Sequence, residues 1–277
     1  MLTSLLKRVA EFALRSPAQL PIAFPFGLKK GAKLYFKSLA FYVGGTLLPL
    51  AIFLLALLAT PYLPDAVAAF LMSSEHQGLV LATVSAASFL CGFGMQLSVF
   101  RQALHSEGKR LRDTLGLNLD GVGGSAWKAI GLGLLTFAIA VGAEQLLELV
   151  YPIKAADPTA DFMGMLKGTS LAIMISIALL APVIEEIIFR GFLFRILRAN
   201  FHERACFAQR SGLADFAAIF LSALVFGLMH LNFSALPFYI VLGGVFAESY
   251  RRTGCLYVPM VAHFLNNSLV VAMLLLK

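Results

Sequence analysis

Long uninterrupted runs of apolar residues alternate with short clusters of charged residues along this chain of 277 residues. Most runs have roughly the 17–25 residues that an α-helix needs to cross the hydrocarbon core of a bilayer. A membrane β-barrel would instead alternate polar and apolar positions along each strand. The pattern therefore predicts an all-α, polytopic membrane protein with about seven transmembrane helices. The predicted spans are residues 38–58, 78–100, 127–151, 169–189, 213–231, 236–250 and 256–276.

The composition supports the same class of protein. Hydrophobic residues make up 59% of the chain and charged residues only 13%, which is too apolar for a soluble domain of this length. The first 16 residues differ from the rest, because Leu2, Leu5 and Val9 share one helical face while Lys7 and Arg8 lie on others. This segment predicts an amphipathic helix, either lying on the membrane surface or packed on the cytoplasmic side of the protein.

The net charge of +7 does not indicate a nucleic-acid partner, because the basic residues follow the loops. All but three of the 22 Lys and Arg residues fall within 7–37, 101–128, 190–210 and 251–252. With an N-terminus in the cytoplasm, seven spans place each of these clusters on the cytoplasmic side, as the positive-inside rule requires. The sequence thus predicts a lipid-embedded protein in the cell membrane, with its C-terminus outside.

Charged residues enter the fourth predicted span at Glu185, Glu186 and Arg190. A charged side chain at mid-membrane costs about 2.5–3.5 kcal/mol on insertion scales, so such residues are expected to face protein or trapped water and to be functional. Glu186 and Arg190 are four residues apart and predict an ion pair on one helix face. Glu185 points about 100° away. The spacing predicts that Glu186 and Arg190 support the site and that Glu185 is available for chemistry.

Further polar residues occur in the later spans. His230 ends the run Phe-Gly-Leu-Met-His, and His263 lies four residues before Asn267, on the same helix face. Any one of these histidines alone would more often join two helices by a hydrogen bond than act in catalysis. Glu144 and Glu148 in the third span could form a second carboxylate site, but a solvated face at the membrane interface explains them better.

Together these side chains suit hydrolysis of an acyl or peptide bond. A carboxylate such as Glu185 can act as a general base on a water molecule, with a neutral histidine beside it. A second histidine and an amide can donate hydrogen bonds to the oxyanion that forms on the attacked carbonyl. The sequence therefore favours a hydrolase.

The motifs Glu-Glu-x-x-x-Arg at 185–190, Phe-x-x-x-His at 226–230 and His-x-x-x-Asn at 263–267 resemble, in this order, those of the CPBP intramembrane proteases. That family contains the CAAX prenyl proteases and bacterial Abi and bacteriocin-processing proteins. The resemblance covers about residues 165–277 and divides the chain into three regions. These are a basic N-terminal segment (1–37), N-terminal transmembrane helices (38–164) and a CPBP-type catalytic core (165–277).

The resemblance implies an intramembrane endopeptidase that cuts a membrane-anchored or lipidated, CAAX-like, protein or peptide precursor. It implies that Glu185 is the base with His230 beside it, that His263 and Asn267 form the oxyanion site, and that Glu186 and Arg190 support them. Members have been described both as metalloproteases and as metal-independent glutamate proteases. Glu185, His230 and His263 could supply the three protein ligands of a catalytic zinc, although the chain has no His-Glu-x-x-His motif. We favour the mechanism without a metal cofactor.

Two other classes of function remain open at this stage. The protein could be a carrier or a proton-coupled or ion-coupled transporter in which Glu185 and the histidines form an ion path, although no internal repeat of the kind found in many carriers is evident. It could also be an inactive relative that serves as a binding or immunity protein.

Overall fold

The structure is a computed structural model that describes residues 20–73, 76–151, 171–207 and 210–276. The predicted amphipathic helix at 1–16 lies outside the described residues. Within the described residues the regular structure is helical, with short 3₁₀ turns in the loops. The helices are α1 (Leu28–Leu58), α2 (Asp65–Met72), α3 (Gln77–Ser106), α4 (Leu111–Thr114), α5 (Ala126–Val150), α6 (Leu171–Glu185), a π-helical segment (Glu186–Phe194), α7 (Arg195–His202), α8 (Ser211–Met229), α9 (Leu236–Thr253) and α10 (Tyr257–Leu275).

In each of the seven predicted spans most of the described residues are helical, and the fourth span contains both α6 and part of the π-helical segment. Four are long and apolar enough to cross a membrane by themselves, namely Leu28–Leu58, Thr83–Ser106, Ala126–Val150 and Ser211–Met229, and Tyr257–Met273 is a shorter apolar helix. The apolar side chains of α1 are largely exposed, including Leu55 and Leu58. Such a surface suits contact with lipid rather than water. The predicted fold class, a polytopic helical membrane protein, is confirmed.

The fourth span continues beyond the membrane segment predicted from hydropathy. Beyond residue 189 the helix continues to His202 through the π-helical segment and α7. A π-helix forms hydrogen bonds between residues five apart, and it is rare outside functional sites. Here the change from α- to π-helix falls between Glu185 and Glu186. The two carboxylates therefore sit at the junction of two helical geometries.

Helices α1 and α3 form one closely packed pair, while α8 and α9 form another. Helix α5 packs on α9 and α10 rather than on the α1–α3 pair, and α10 also packs on α6. The helices of the C-terminal region thus surround the π-helical segment, and α5 covers their outer side. The predicted division of the chain at residue 164 stays a prediction.

Backbone contact between α1 and α3 depends on Gly45 and Gly92. A Cβ atom at Gly92 would overlap the Thr46 hydroxyl and would lie 2.8 Å from the Tyr42 carbonyl oxygen. We therefore expect Gly92→Ala to push the two helices apart and to lower the free energy of unfolding by about 1–3 kcal/mol, as overpacked cores do. Unfolding in detergent would measure this change. Gly94→Ala, where a Cβ meets no atom within 4 Å, is the control and should leave stability nearly unchanged.

An ionic cluster joins α7, α8 and α9 on the predicted cytoplasmic side. Asp215, in the second turn of α8, accepts hydrogen bonds from Arg198 at 2.7 Å and Arg251 at 3.2 Å, and His202 Nε2 lies 2.8 Å from the same carboxylate. Arg198 also donates to the Leu20 carbonyl oxygen at 2.6 Å. The start of α8 therefore lies in a polar layer, so the apolar part of this helix begins later than the predicted boundary at residue 213.

The loop before α5 is attached to the turn between α9 and α10. Tyr250 donates to the Leu115 carbonyl oxygen at 2.8 Å, and the Leu256 amide donates to that of Gly116 at 2.9 Å. Burial raises the pKa of the Cys255 thiol, so the thiol stays protonated and its Sγ contacts the Asn118 carbonyl oxygen at 3.2 Å. As predicted, Ser125 caps α5 by accepting a hydrogen bond from the Lys128 amide.

Candidate active site

The predicted ion pair between Glu186 and Arg190 is present and fully enclosed. Arg190 Nη1 donates to Glu186 Oε1 at 2.9 Å, and the two side chains are 1% and 0% exposed. Arg190 Nη2 donates to the carbonyl oxygen of Gly243 on α9 at 3.2 Å. The pair thus joins the π-helical segment to α9 in addition to stabilising its own helix.

Two aromatic rings from different helices surround the Arg190 guanidinium. Its central carbon lies 4.4 Å from the ring centre of Phe226 on α8 and 5.3 Å from that of Phe246 on α9. A desolvated cation over an aromatic face gains about 2 kcal/mol or more. These rings partly replace the water that the guanidinium loses on burial.

His263 brings α10 into the same cluster. Its ring is 3% exposed, and Nδ1 lies 2.9 Å from Glu186 Oε1. Because an ionised carboxylate only accepts hydrogen bonds, Nδ1 must carry the proton and donate it. In the neutral ring the lone pair is then on Nε2, which lies 3.8 Å from Glu185 Oε2. Glu186 therefore fixes both the orientation of the imidazole and the position of its proton.

Glu185 differs from Glu186 in its surroundings, as the helix geometry predicts. Its side chain is 26% exposed, and its Oε2 atom has no hydrogen-bond partner among the described residues. The 3.8 Å to His263 is too long for a direct hydrogen bond, yet both groups can contact one water molecule or one substrate atom. The carboxylate of Glu185 is thus the accessible acid of the site.

His230 lies just after the end of α8 and is exposed. Its Nδ1 is 2.8 Å from the Phe226 carbonyl oxygen, so this nitrogen carries a proton and the Nε2 lone pair remains available. The imidazole stacks on Tyr239 with ring centres 4.2 Å apart. The Phe226 ring contacts both histidines, with ring centres 4.7 Å from His230 and 5.9 Å from His263. The two imidazoles therefore flank a single aromatic ring.

Direct contacts bring Glu185, Glu186, Arg190 and His263 together, and the ring of Phe226 joins His230 to this group. Asn267 lies one helical turn beyond His263 on α10 and is partly exposed. The predicted placement of His230 directly beside Glu185 and the oxyanion role of Asn267 stay predictions.

Two tyrosines of α1 also lie close to the site, and sequence reasoning missed them. Tyr42 lies within electrostatic range of Glu185, and Tyr35 lies within that of Arg190. Tyr35 also packs against Ile184 and Ile188. The tyrosines are seven residues apart, which places them on one face of α1. That spacing was the available signal, but it could not show which helix this face contacts.

A zinc ion bound by Glu185, His230 and His263 was one reading of the sequence. Within the described ranges, no group of three or more His, Cys, Asp or Glu side chains is close enough to hold a metal ion. Glu185 and His263 supply two donors, one fewer than the three protein ligands usual for a catalytic zinc. In this geometry, the side chains of Glu185, His230 and His263 do not fit a catalytic zinc ion.

Comparison with known proteins agrees with the motifs. A family model described as type II CAAX prenyl endopeptidase Rce1-like matches residues 167–269. The putative membrane peptidase YdiL of Bacillus subtilis is 28% identical over 163 residues, which cover 58% of this chain and 59% of the relative. The membrane-embedded CAAX protease MroQ of Staphylococcus aureus is 26% identical over 155 residues, which cover 54% and 58%.

The chain therefore spans less than two thirds of the length of these curated relatives. No solved structure matches it significantly. The matched region contains all three motifs, and the relatives are bacterial membrane proteins. Residues 167–269 of the chain are thus similar to the Rce1-like family model, and the chain is an integral membrane protein.

Proposed function

We propose that the protein is an intramembrane endopeptidase that hydrolyses a peptide bond of a membrane-anchored or lipidated protein or peptide precursor. The observation that carries this proposal is the pairing of an accessible carboxylate, Glu185, with an imidazole whose Nε2 faces it at 3.8 Å. Glu186 holds that imidazole through Nδ1 and is itself held by Arg190. An acid beside an oriented histidine in an enclosed site is the arrangement that general acid–base catalysis requires.

In the proposed reaction Glu185 takes a proton from a water molecule, and the resulting hydroxide attacks the carbonyl carbon of the scissile bond. In this mechanism His263 carries a proton on both ring nitrogens from the start and keeps both, so that its Nε2 and the Asn267 amide donate hydrogen bonds to the oxyanion. The carbon–nitrogen bond then breaks as the proton held by Glu185 passes to the leaving amine. His230 assists these proton transfers through its Nε2 atom. Glu186 and Arg190 position His263 and do not touch the reacting atoms.

The membrane orientation follows from charge. Arg198, His202 and Arg251 gather around Asp215 at one end of the bundle, and this end is the cytoplasmic one under the positive-inside rule. We propose an N-terminus in the cytoplasm, a C-terminus outside and a site open toward the cytoplasmic half of the bilayer. Cysteine accessibility at introduced loop positions tests this orientation.

His230→Ala is expected to lower turnover by about 10²-fold, the lower end of the range for general acid–base groups, because His230 assists rather than abstracts the first proton. Quantitative proteomics of membrane fractions measures this loss as a lower amount of the peptide termini that cleavage by the protein generates. His105→Ala, at an exposed position near the end of α3, is the matched control. Unchanged termini in the His230→Ala strain would contradict the assigned role.

Activity is expected to survive chelation, because the proposed steps need only side chains of this chain. Metal content and turnover would be measured in the purified protein before and after treatment with a chelator. Loss of turnover that zinc restores would replace the mechanism above with a metal-dependent one, while leaving the endopeptidase proposal intact.

A further inference from the structure

A groove of about 820 Å³ lies between α5, α8 and α9, away from the candidate active site. Its floor is the outer face of α9, with Ile240, Gly244 and Glu248, and its walls include Leu132 and Ile139 of α5 and Phe220 of α8. The opposite face of α9 carries Gly243 and Phe246, which contact Arg190 and His263. Helix α9 therefore separates this groove, here called the α9 groove, from the catalytic cluster.

The size of the α9 groove limits what can occupy it. From Ile240 to Arg252 the floor spans 12 residue steps, or roughly 18 Å of helix. An extended apolar chain fits a groove of this length and volume, because sites of about 300–1,000 Å³ hold single small molecules.

One end of the α9 groove is charged, and its balance is positive. Lys128 and Arg252 are exposed there and both line the groove. The nearby acid, Glu248, already accepts hydrogen bonds from Arg251 at 2.6 Å and from Arg252 at 2.5 Å. Arg251 also pairs with Asp215 at 3.2 Å, so the two cations that line the mouth, Lys128 and Arg252, face one carboxylate. The remaining positive charge favours an anion at this mouth. Because the cluster is on the predicted cytoplasmic side, the mouth lies at the depth of lipid headgroups.

We propose that the α9 groove binds one anionic phospholipid, with an acyl chain along α9 and the phosphate between Lys128 and Arg252. The acyl chain covers the floor residues Ile240 and Gly244, which are only partly buried by the protein. The bound lipid packs against the face of α9 that is opposite to the Gly243 carbonyl and the Phe246 ring. This site is separate from the proposed peptidase chemistry and does not depend on it.

The test uses the purified protein in phosphatidylcholine bilayers that contain a trace of phosphatidylglycerol with a photoreactive diazirine at the end of one acyl chain. Mapping of the cross-linked peptides is expected to find adducts on the segments that contain Leu132, Ile139 and Ile240. Gly244→Phe should remove most adducts, because the new ring fills the floor. Gly94→Phe on α3, where a Cβ meets no atom within 4 Å, should not.

A second arm tests the headgroup. The double variant Lys128→Gln, Arg252→Gln should weaken binding of phosphatidylglycerol by about 30-fold relative to a phosphatidylcholine probe, the factor that corresponds to the loss of two surface charges at about 1 kcal/mol each. Lys109→Gln, Arg110→Gln removes two exposed charges from the same predicted side and is the control. Adducts spread evenly around the bundle, adducts to a second copy of the chain in place of lipid, or equal binding of both probes would overturn the proposal.

Discussion

Turnover of substrate by the Glu185→Gln protein is expected to be lower by about 10⁴-fold, the upper end of what a general base contributes. The amide has nearly the shape of the carboxylate but cannot accept a proton from water. Because Glu185 Oε2 makes no hydrogen bond among the described residues and the side chain is 26% exposed, folding and membrane insertion should be unaffected. Detection of new peptide termini in membrane fractions measures turnover, and protease protection measures insertion.

Glu148→Gln is the matched control, because Glu148 is an exposed carboxylate on α5 outside the candidate site. It should retain full turnover. Processing of the natural substrate at a normal rate by Glu185→Gln would refute the proposed base. If instead proteoliposomes took up a solute or protons and Glu185→Gln stopped that uptake, the protein would be a carrier. An effect of the protein in cells that persists in every site variant would indicate a binding or immunity role.

Features that depend on one helix were predictable from the sequence. The Glu186–Arg190 pair follows from the i, i+4 spacing, and the structure has it at 2.9 Å. The division between an accessible Glu185 and an enclosed Glu186 follows from the 100° between neighbouring residues. The positions of the helices follow from the hydropathy pattern, since lipid requires long apolar helices whatever their packing partners.

Features that depend on which helices are neighbours were not predictable. The sequence grouped His263 with Asn267, on its own helix, but the contact to Glu186 of the π-helical segment fixes the position of its proton. Other helices likewise contribute to the site. The rings around Arg190 come from Phe226 of α8 and Phe246 of α9, and α1 contributes Tyr42 near Glu185. Pro182 lies one turn before the π-helical segment and Gly191 lies within it. Neither residue by itself predicts a π-helix, so this segment had no simple signal in the sequence.

The cross-helix contacts of the candidate site converge on the carboxylate of Glu186. Glu186 Oε1 is the shared acceptor of Arg190 and His263, and Arg190 in turn holds α9 through Gly243. Loss of the guanidinium therefore affects the imidazole and the α9 backbone as well as the ion pair. This dependence predicts a large effect on stability from one substitution.

Arg190→Met is expected to lower the free energy of unfolding by about 3–5 kcal/mol, the usual cost of removing one partner from a buried ion pair. Methionine fills part of the volume of the arginine side chain, so the loss of stability comes mainly from the Glu186 carboxylate. This carboxylate is 0% exposed and would keep, among the described residues, only His263 as a hydrogen-bond partner. Unfolding in mixed detergent micelles measures the change. Lys30→Met breaks an exposed pair with Glu107 and should cost less than about 1 kcal/mol.

Adding Glu186→Gln to Arg190→Met separates charge from packing. The amide oxygen can still accept the proton of His263 Nδ1, but no unpaired charge remains in the core. If the buried charge causes the loss, the double variant should be more stable than Arg190→Met alone, so the two effects will not add. Turnover should stay low in the double variant, because a neutral partner no longer stabilises charge on the imidazole. If instead the loss of stability in the double variant equals the sum of the losses in the two single variants, Arg190 acts by packing between Phe226 and Phe246, independently of Glu186.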